Sequence, residues 1–109
     1  MGATALSPFD AIADPSRRAI LDLLREGERC VSALLESFTF SQPALSQHLA
    51  VLRRARLVVV RKAGRQRLYR LNAAPLQAVH DWVEYYDRFW DQRLDQLGAH
   101  LEKSHGPPR

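Results

Sequence analysis

Residues 41–55 read SQPALSQHLAVLRRA, and the two sides of this stretch differ in kind. At helical spacing Leu45, Leu49 and Leu52 form one apolar stripe, the pattern of a helix laid on a core. Opposite them stand Pro43, Gln47, Ala50 and Arg54, flanked by Gln42, Ser46 and Arg53, with His48 at the margin of the apolar stripe. Ser41 is a good N-cap and Pro43 suits a first helical turn, so the helix starts at 41–43. A helix that is apolar on one side, and small, amide-bearing and basic on the other, is built to meet something polar at close range.

Upstream, Asp14-Pro15 is a strong helix start, and the helix it opens, over about 15–26, is expected to bury Ala19, Ile20, Leu23 and Leu24 and to stop at Gly27. Phe9, Ile12 and Ala13 mark a short helix over about 7–13, behind a tail of six residues. Val31, Leu34, Leu35 and Phe38 mark another over 31–37, and a short turn joins it to the stretch quoted above. Downstream the period changes from 3.6 to 2. VVVR at 58–61 and RLYRL at 67–71 read as two strands joined by KAGR at 62–65, with Gly64 as the turn residue. Two helices joined by a short turn and followed by a hairpin make a winged helix-turn-helix. The expected fold is mainly α, with about five helices and a two-stranded wing, in one domain covering 1–109. The helix-turn-helix falls at about 31–55 and the wing at about 57–71.

Pro75 opens a last helix, expected over about 75–103, whose apolar positions Leu76, Val79, Val83, Tyr86, Trp90, Leu94, Leu97 and Leu101 recur at near-heptad spacing. Such a helix would be about 43 Å long, more than the width of a domain of this size. Its apolar stripe overhangs, and a second copy of the chain is the cheapest cover for it. A homodimer is therefore expected, its interface drawn from Phe9, Val79, Val83, Tyr86, Trp90, Leu94 and Leu97. The aromatic set Trp82, Tyr85, Tyr86, Phe89 and Trp90 could also line a ligand pocket, but dimer core is the simpler reading.

The chain has 109 residues, 46% of them hydrophobic, enough for one packed core and against global disorder. The formal net charge is +4 and unevenly spread. Between Arg53 and Arg70 lie eight Lys or Arg and no acid, whereas Asp81, Glu84, Asp87, Asp91 and Asp95 outnumber Arg88 and Arg93 further on. The basic run coincides with the end of the amide-bearing helix and with the hairpin, which points to double-stranded DNA. Small and amide side chains allow close entry to the major groove, where Gln can pair with a base edge through two hydrogen bonds. The expected DNA-facing set is Ser41, Gln42, Pro43, Ser46, Gln47, His48 and Arg54 on the helix, with Lys62, Arg65, Gln66 and Arg67 on the hairpin. A rival reading is a winged-helix module that binds another protein, for which the amide face and the basic tip together are unusual. No phosphate-binding glycine loop, nucleophile–base pair or metal cluster points to an enzyme. A single cysteine, Cys30, forbids an internal disulfide and suggests a reducing compartment. With no apolar run near the ~20 residues of a membrane span and no secretion signal, a cytoplasmic protein is expected.

DPSRRAILDLLREGE at 14–28, SQPALSQHLAVLRRARLV at 41–58 and GRQRLYRLN at 64–72 resemble the ArsR/SmtB family of bacterial winged-helix repressors. The resemblance covers about residues 8–100. It implies a homodimer through the first and last helices, with one recognition helix per subunit in successive major grooves, and by matched position it puts DNA contacts on Gln42, Pro43, Ser46 and Gln47. Arg56 and Thr39 stand where the family commonly has glycine; a left-handed backbone at Arg56 would cost on the order of 1 kcal/mol. Many family members sense metals. Their thiolate motif corresponds here to Cys30-Val31-Ser32-Ala33-Leu34, with one thiol of two and no acid. Their last-helix motif corresponds to His80-Asp81 in reversed order, and to His100 and Glu102 on different faces. The sequence thus resembles members without a recognised metal site. It implies no cofactor and does not identify an effector.

Overall fold

A computed structural model describes residues 5–90. Helix α1 (Pro8–Ala11) is capped by Ser7, whose Oγ accepts the Phe9 N–H at 3.0 Å. Helix α2 (Pro15–Leu24) starts at the Asp14 cap, with Asp14 Oδ1 accepting from Ser16 N–H at 2.7 Å and Arg17 N–H at 3.4 Å. The carbonyls at the C-terminal end of a helix have no partner within it. Arg17 Nε donates to the Ala11 carbonyl and Arg18 Nη1 to that of Ile12, both at 2.7 Å, so the two arginines bind the end of one helix to the next. The buried side of α2 is Ile20, Leu21 and Leu24, with Ala19 and Leu23 half-buried. Ile20 and Leu24 are thus buried as expected and Leu23 packs against the core from its margin; the correction is Leu21, which the helix buries in addition while Ala19 is only half-buried.

After Gly27, whose φ is +146°, Arg29–Cys30 form a short strand, β1. It pairs antiparallel with β3 (Gln66–Leu71), Arg29 opposite Tyr69 and Cys30 opposite Leu68. The expected two-stranded wing, the hairpin of β3 with β2 (Val58–Ala63), is present, and β1 adds a third strand that was not expected, in the order β1-β3-β2. Two residues carry no alternation that a period could reveal; their strand exists only through its partner.

Helix α3 (Val31–Ser37) occupies the expected residues and buries Leu34. Helix α4 (Gln42–Arg54) is capped by Ser41, whose Oγ accepts the Ala44 N–H at 3.2 Å, and buries Leu45, Leu49 and Leu52 as the stripe requires. Its end is a Schellman motif: Leu57 N–H bonds the Leu52 carbonyl and Arg56 N–H that of Arg53, with Arg56 at φ +63°. Leu52 and Leu57, the positions whose apolar side chains accompany such a motif, are both fully buried in the same core.

Strands β2 (Val58–Ala63) and β3 (Gln66–Leu71) form the hairpin, in register from Val58 opposite Leu71 to Ala63 opposite Gln66. Gly64, at φ +65°, takes the first of the two turn positions, where a positive φ matches the twist of the strands. Leu57, Val58 and Tyr69 join Ala11, Ile20, Leu21, Leu24, Leu34, Leu45, Leu49, Leu52 and Ala55 in one core, so Tyr69 is wing core as expected.

The chain divides into two compact units, 1–79 and 80–109. Helix α5 runs Leu76–Glu84; hydrogen bonds then tighten to three-residue spacing at Tyr85 and Tyr86, and residues 87–90 are helical again. The remainder of the expected last helix, with Leu94, Leu97, His100, Leu101 and Glu102, lies outside the described residues. No helix among the described residues is long and apolar enough to cross a membrane.

Candidate nucleic-acid interface

The apolar stripe of α4 locks that helix to the core, so the residues between the leucines must face outward. Ser41, Gln42, Pro43, Ser46, Gln47, Ala50, Arg53 and Arg54 are all exposed. Gln42, Ser46 and Gln47 bring amides and a hydroxyl to one rigid surface, and Pro43 adds shape without a donor. Ser41 Oγ accepts the capping bond, which leaves its hydroxyl proton able to donate to an external oxygen such as a phosphate.

His48 differs from the rest of the expected set. It is half-buried, its ring 5.2 Å from that of Phe40, which stacks on Phe38 at 4.9 Å. This row of rings spans the turn between α3 and α4, so His48 braces the helix-turn-helix. The marginal wheel position agrees with half-burial, but not with the place given to His48 in the DNA-facing set. Thr39, at a common family glycine, is exposed in the same turn and has no left-handed backbone.

On the hairpin, Lys62, Arg65, Gln66 and Arg67 are exposed. Arg65, Gln66 and Arg67 also line a shallow cleft of about 260 Å³ with Cys30, Val31 and Ser32 at the start of α3. The tip thus lies beside the helix-turn-helix. Cys30 Sγ lies 3.3 Å from Ser32 Oγ, and that hydrogen bond lowers the thiol's pKa below its ordinary value.

Two constellations lie outside the expected set. Arg61 Nε and Nη2 reach Glu28 Oε2 and Oε1 at 2.8 and 2.9 Å, a two-pronged ion pair between residues 33 positions apart. It holds the Glu28 carboxyl below its usual pKa and raises that of Arg61. The hairpin register could have suggested it only with β1 in place. In the second unit, His80, Asp81 and Glu84 bring ligand atoms within 4.8 Å of one another, all exposed, with His80 Nε2 3.4 Å from Glu84 Oε2. The four-residue spacing of His80 and Glu84 is the sequence signal for this set, since it puts both on one face of a helix.

The expected dimer residues among the described ones also reach the surface. Phe9 is 40% exposed, Val79 and Val83 are half-buried, and Trp82, Tyr85, Tyr86, Phe89 and Trp90 are exposed at 43–82%.

Residues 14–60 match the model of the family described as bacterial regulatory protein, arsR family. The chain is 43% identical over 86 residues to the HTH-type transcriptional regulator Rv2034 of Mycobacterium tuberculosis, covering 79% of this chain and 78% of that one. It is 44% identical over 80 residues to the arsenical resistance operon repressor of Staphylococcus xylosus, covering 73% and 70%. Among solved structures, an ArsR family transcriptional regulator superposes with a TM-score of 0.67 at 31% identity, over 81% of this chain and 97% of that one.

Proposed function

The chain belongs to the arsR family of bacterial regulatory proteins and is a DNA-binding transcriptional regulator, and from that premise we propose that it is a homodimeric repressor of a palindromic operator. In this reading each subunit sets α4 into the major groove. Gln42, Ser46 and Gln47 read base edges, Pro43 packs against them, and Ser41 with the first-turn N–H groups of α4 holds a phosphate. Arg54 at the far end of α4, and Lys62, Arg65, Gln66 and Arg67 on the wing, bind the backbone, while His48 supports the turn. A two-fold dimer presents two such helices about one helical turn apart, at half-site centres ~10–10.5 base pairs from each other. The exposed aromatic side chains from Trp82 to Trp90 are the surface through which the copies pair, with Phe9, Val79 and Val83. Repression then follows from occupancy of promoter DNA in the cytoplasm, without a cofactor or catalytic step.

The carrying observation is the exposed Gln42–Ser46–Gln47 surface on a helix anchored by three buried leucines, flanked by a basic hairpin tip. The test is selection from a library of randomised duplexes, followed by titration of the selected duplex at several salt concentrations. A palindromic consensus and a steep fall of affinity with salt are expected. Failure to enrich any sequence, with capture of a protein partner instead, would favour an interaction module.

A further inference from the structure

We propose that Glu28 is a positioning and specificity-determining residue of the DNA interface: its bridge to Arg61 fixes the wing to the helical body and withholds one guanidinium from the phosphates. The inference deepens the DNA-binding reading given above and rests on it.

The sheet explains how the bridge works. Cys30 is opposite Leu68, and Leu68 is opposite Arg61, so these three residues share one face. Glu28 lies two residues before Cys30 and returns to that same face, beside Arg70, which is opposite Val59. The ion pair therefore crosses the middle strand β3 and ties the outer strand β2 to the segment that enters α3. Backbone pairing already joins β2 to β3; the bridge adds a second attachment, between the outer edge of the hairpin and the start of the helix-turn-helix. A two-pronged Arg–carboxylate pair fixes direction as well as distance.

Its electrostatic effect follows. Arg61 stands one residue before Lys62 in the most basic part of the chain, yet two of its guanidinium nitrogens are engaged with a carboxylate. The same carboxylate faces Arg70. Binding to random DNA scales with the number of phosphates neutralised, because each one releases counterions. A guanidinium neutralised within the protein adds nothing to that number. Glu28 thus lowers sequence-independent affinity, and by holding the wing it keeps the tip where tip and α4 can engage together. Both effects raise the ratio of specific to random binding.

The experiment uses the full chain, a random-sequence duplex of about 30 base pairs, and the duplex the wild-type protein selects from a randomised library, each titrated across salt. For Glu28→Gln, binding to the random duplex is expected to tighten several-fold, with the log–log salt slope steeper by about 0.9 per protomer and the selected-to-random ratio reduced on the order of tenfold. For Arg61→Gln, the random-duplex slope should stay at the wild-type value while affinity for the selected duplex falls. The charge-swapped double variant, Glu28→Arg with Arg61→Glu, should recover affinity for the selected duplex, which also separates lost positioning from lost folding. A random-duplex slope flattened by about 0.9 per protomer in Arg61→Gln would mean that Arg61 contacts a phosphate, and would overturn the proposal. An unchanged selected-to-random ratio in Glu28→Gln, or no recovery in the double variant, would overturn it equally. If wild type binds neither duplex in a salt-dependent way, the DNA reading falls and this proposal with it; if wild type selects a sequence and the variants behave in the overturning way, only the proposal falls.

Discussion

The side-chain amide of Asn72 donates to the carbonyl oxygen of Arg56 at 2.7 Å, and it does so where the Arg56 backbone is left-handed. The Asn72 N–H also bonds the Leu57 carbonyl at 2.8 Å, so one residue after β3 grips both sides of the turn that ends α4. A left-handed non-glycine residue costs on the order of 1 kcal/mol, and the Schellman bonds and the Asn72 grip hold it there. Arg56→Gly is therefore expected to stabilise the protein by at most about 0.5 kcal/mol, once the ~0.4–1 kcal/mol of extra freedom of glycine in the unfolded chain is subtracted. Asn72→Ala should destabilise it by about 1 kcal/mol through the lost hydrogen bond. Urea midpoints at a fixed protein concentration and unchanged slope measure both; a lower midpoint for Arg56→Gly would show that the turn is not strained.

The Asp14 cap makes acid stability testable. Its carboxylate accepts the Ser16 N–H, chiefly for which its pKa lies below the ordinary value. A carboxylate depressed in the folded state contributes stability that is present above its unfolded pKa and lost as pH falls through the folded one. Glu28, lowered by Arg61, acts in the same sense. Melting temperature should hold from neutrality down to the ordinary carboxylate range and then decline from about pH 4 downward. Asp14→Asn keeps a good cap and removes one titrating group, so it should melt near wild type at neutral pH and lose less on acidification. An acid profile identical to wild type would remove Asp14 from the explanation.

How far the sequence could be read follows from which interactions are local. Caps, helix periods and the hairpin are written within a few residues of where they act. Asp14-Pro15, the Leu45–Leu49–Leu52 stripe and Gly64 accordingly led to α2, α4 and the wing. β1 and the Glu28–Arg61 bridge are not local: each needs a partner more than thirty positions away, which no spacing announces. The burial of Leu21 on α2 arises the same way, from what the helix packs against. At the candidate site the outward residues of α4 were legible because the leucines fix what remains. The inward lean of His48 depended on Phe40 in the preceding turn.

Gln47 and Arg65 should differ in the kind of contact they make. Gln47→Ala is expected to relax base preference at one position per half-site, losing about 1–3 kcal/mol of discrimination there. Arg65→Ala should weaken binding across all sequences and flatten the salt slope by about 0.9 per protomer. A panel of single-base operator variants, titrated at two salt concentrations, separates the two. Identical behaviour of the mutants would contradict the division of roles on α4 and the wing.

Light scattering in moderate salt should give about twice 12.4 kDa. Trp90 is half exposed in the single chain and Val83 is half-buried, so each has surface to bury against a second copy. Burying a large apolar side chain contributes ~1.5–3 kcal/mol, so Val83→Asp with Trp90→Asp should dissociate the dimer and reduce DNA affinity with it. A monomeric mass for the wild type at micromolar concentration would exclude the homodimer.

DNA binding should not respond to Zn²⁺, Cd²⁺ or As(III) at physiological levels. A tight transition-metal site needs about three or four donors converging at ~2.0–2.3 Å. At the start of α3, Cys30 has Ser32 as its hydrogen-bonding neighbour, a hydroxyl where the thiolate motif of metal-sensing relatives has a second sulfur. On α5, Glu84 lies four residues after His80 and three after Asp81, so the ligand atoms of all three come within 4.8 Å of one another, but they are surface side chains of one short stretch of helix. All three are exposed, and water competes for any ion they gather. Weak, pH-dependent occupancy is the most such a set supports. Titration of the protein–DNA complex with each metal, in wild type, Cys30→Ser and Glu84→Gln, decides the matter. No release of DNA below micromolar metal is the expected result; submicromolar release abolished by either substitution would identify the ligand and restore a metal-sensing role.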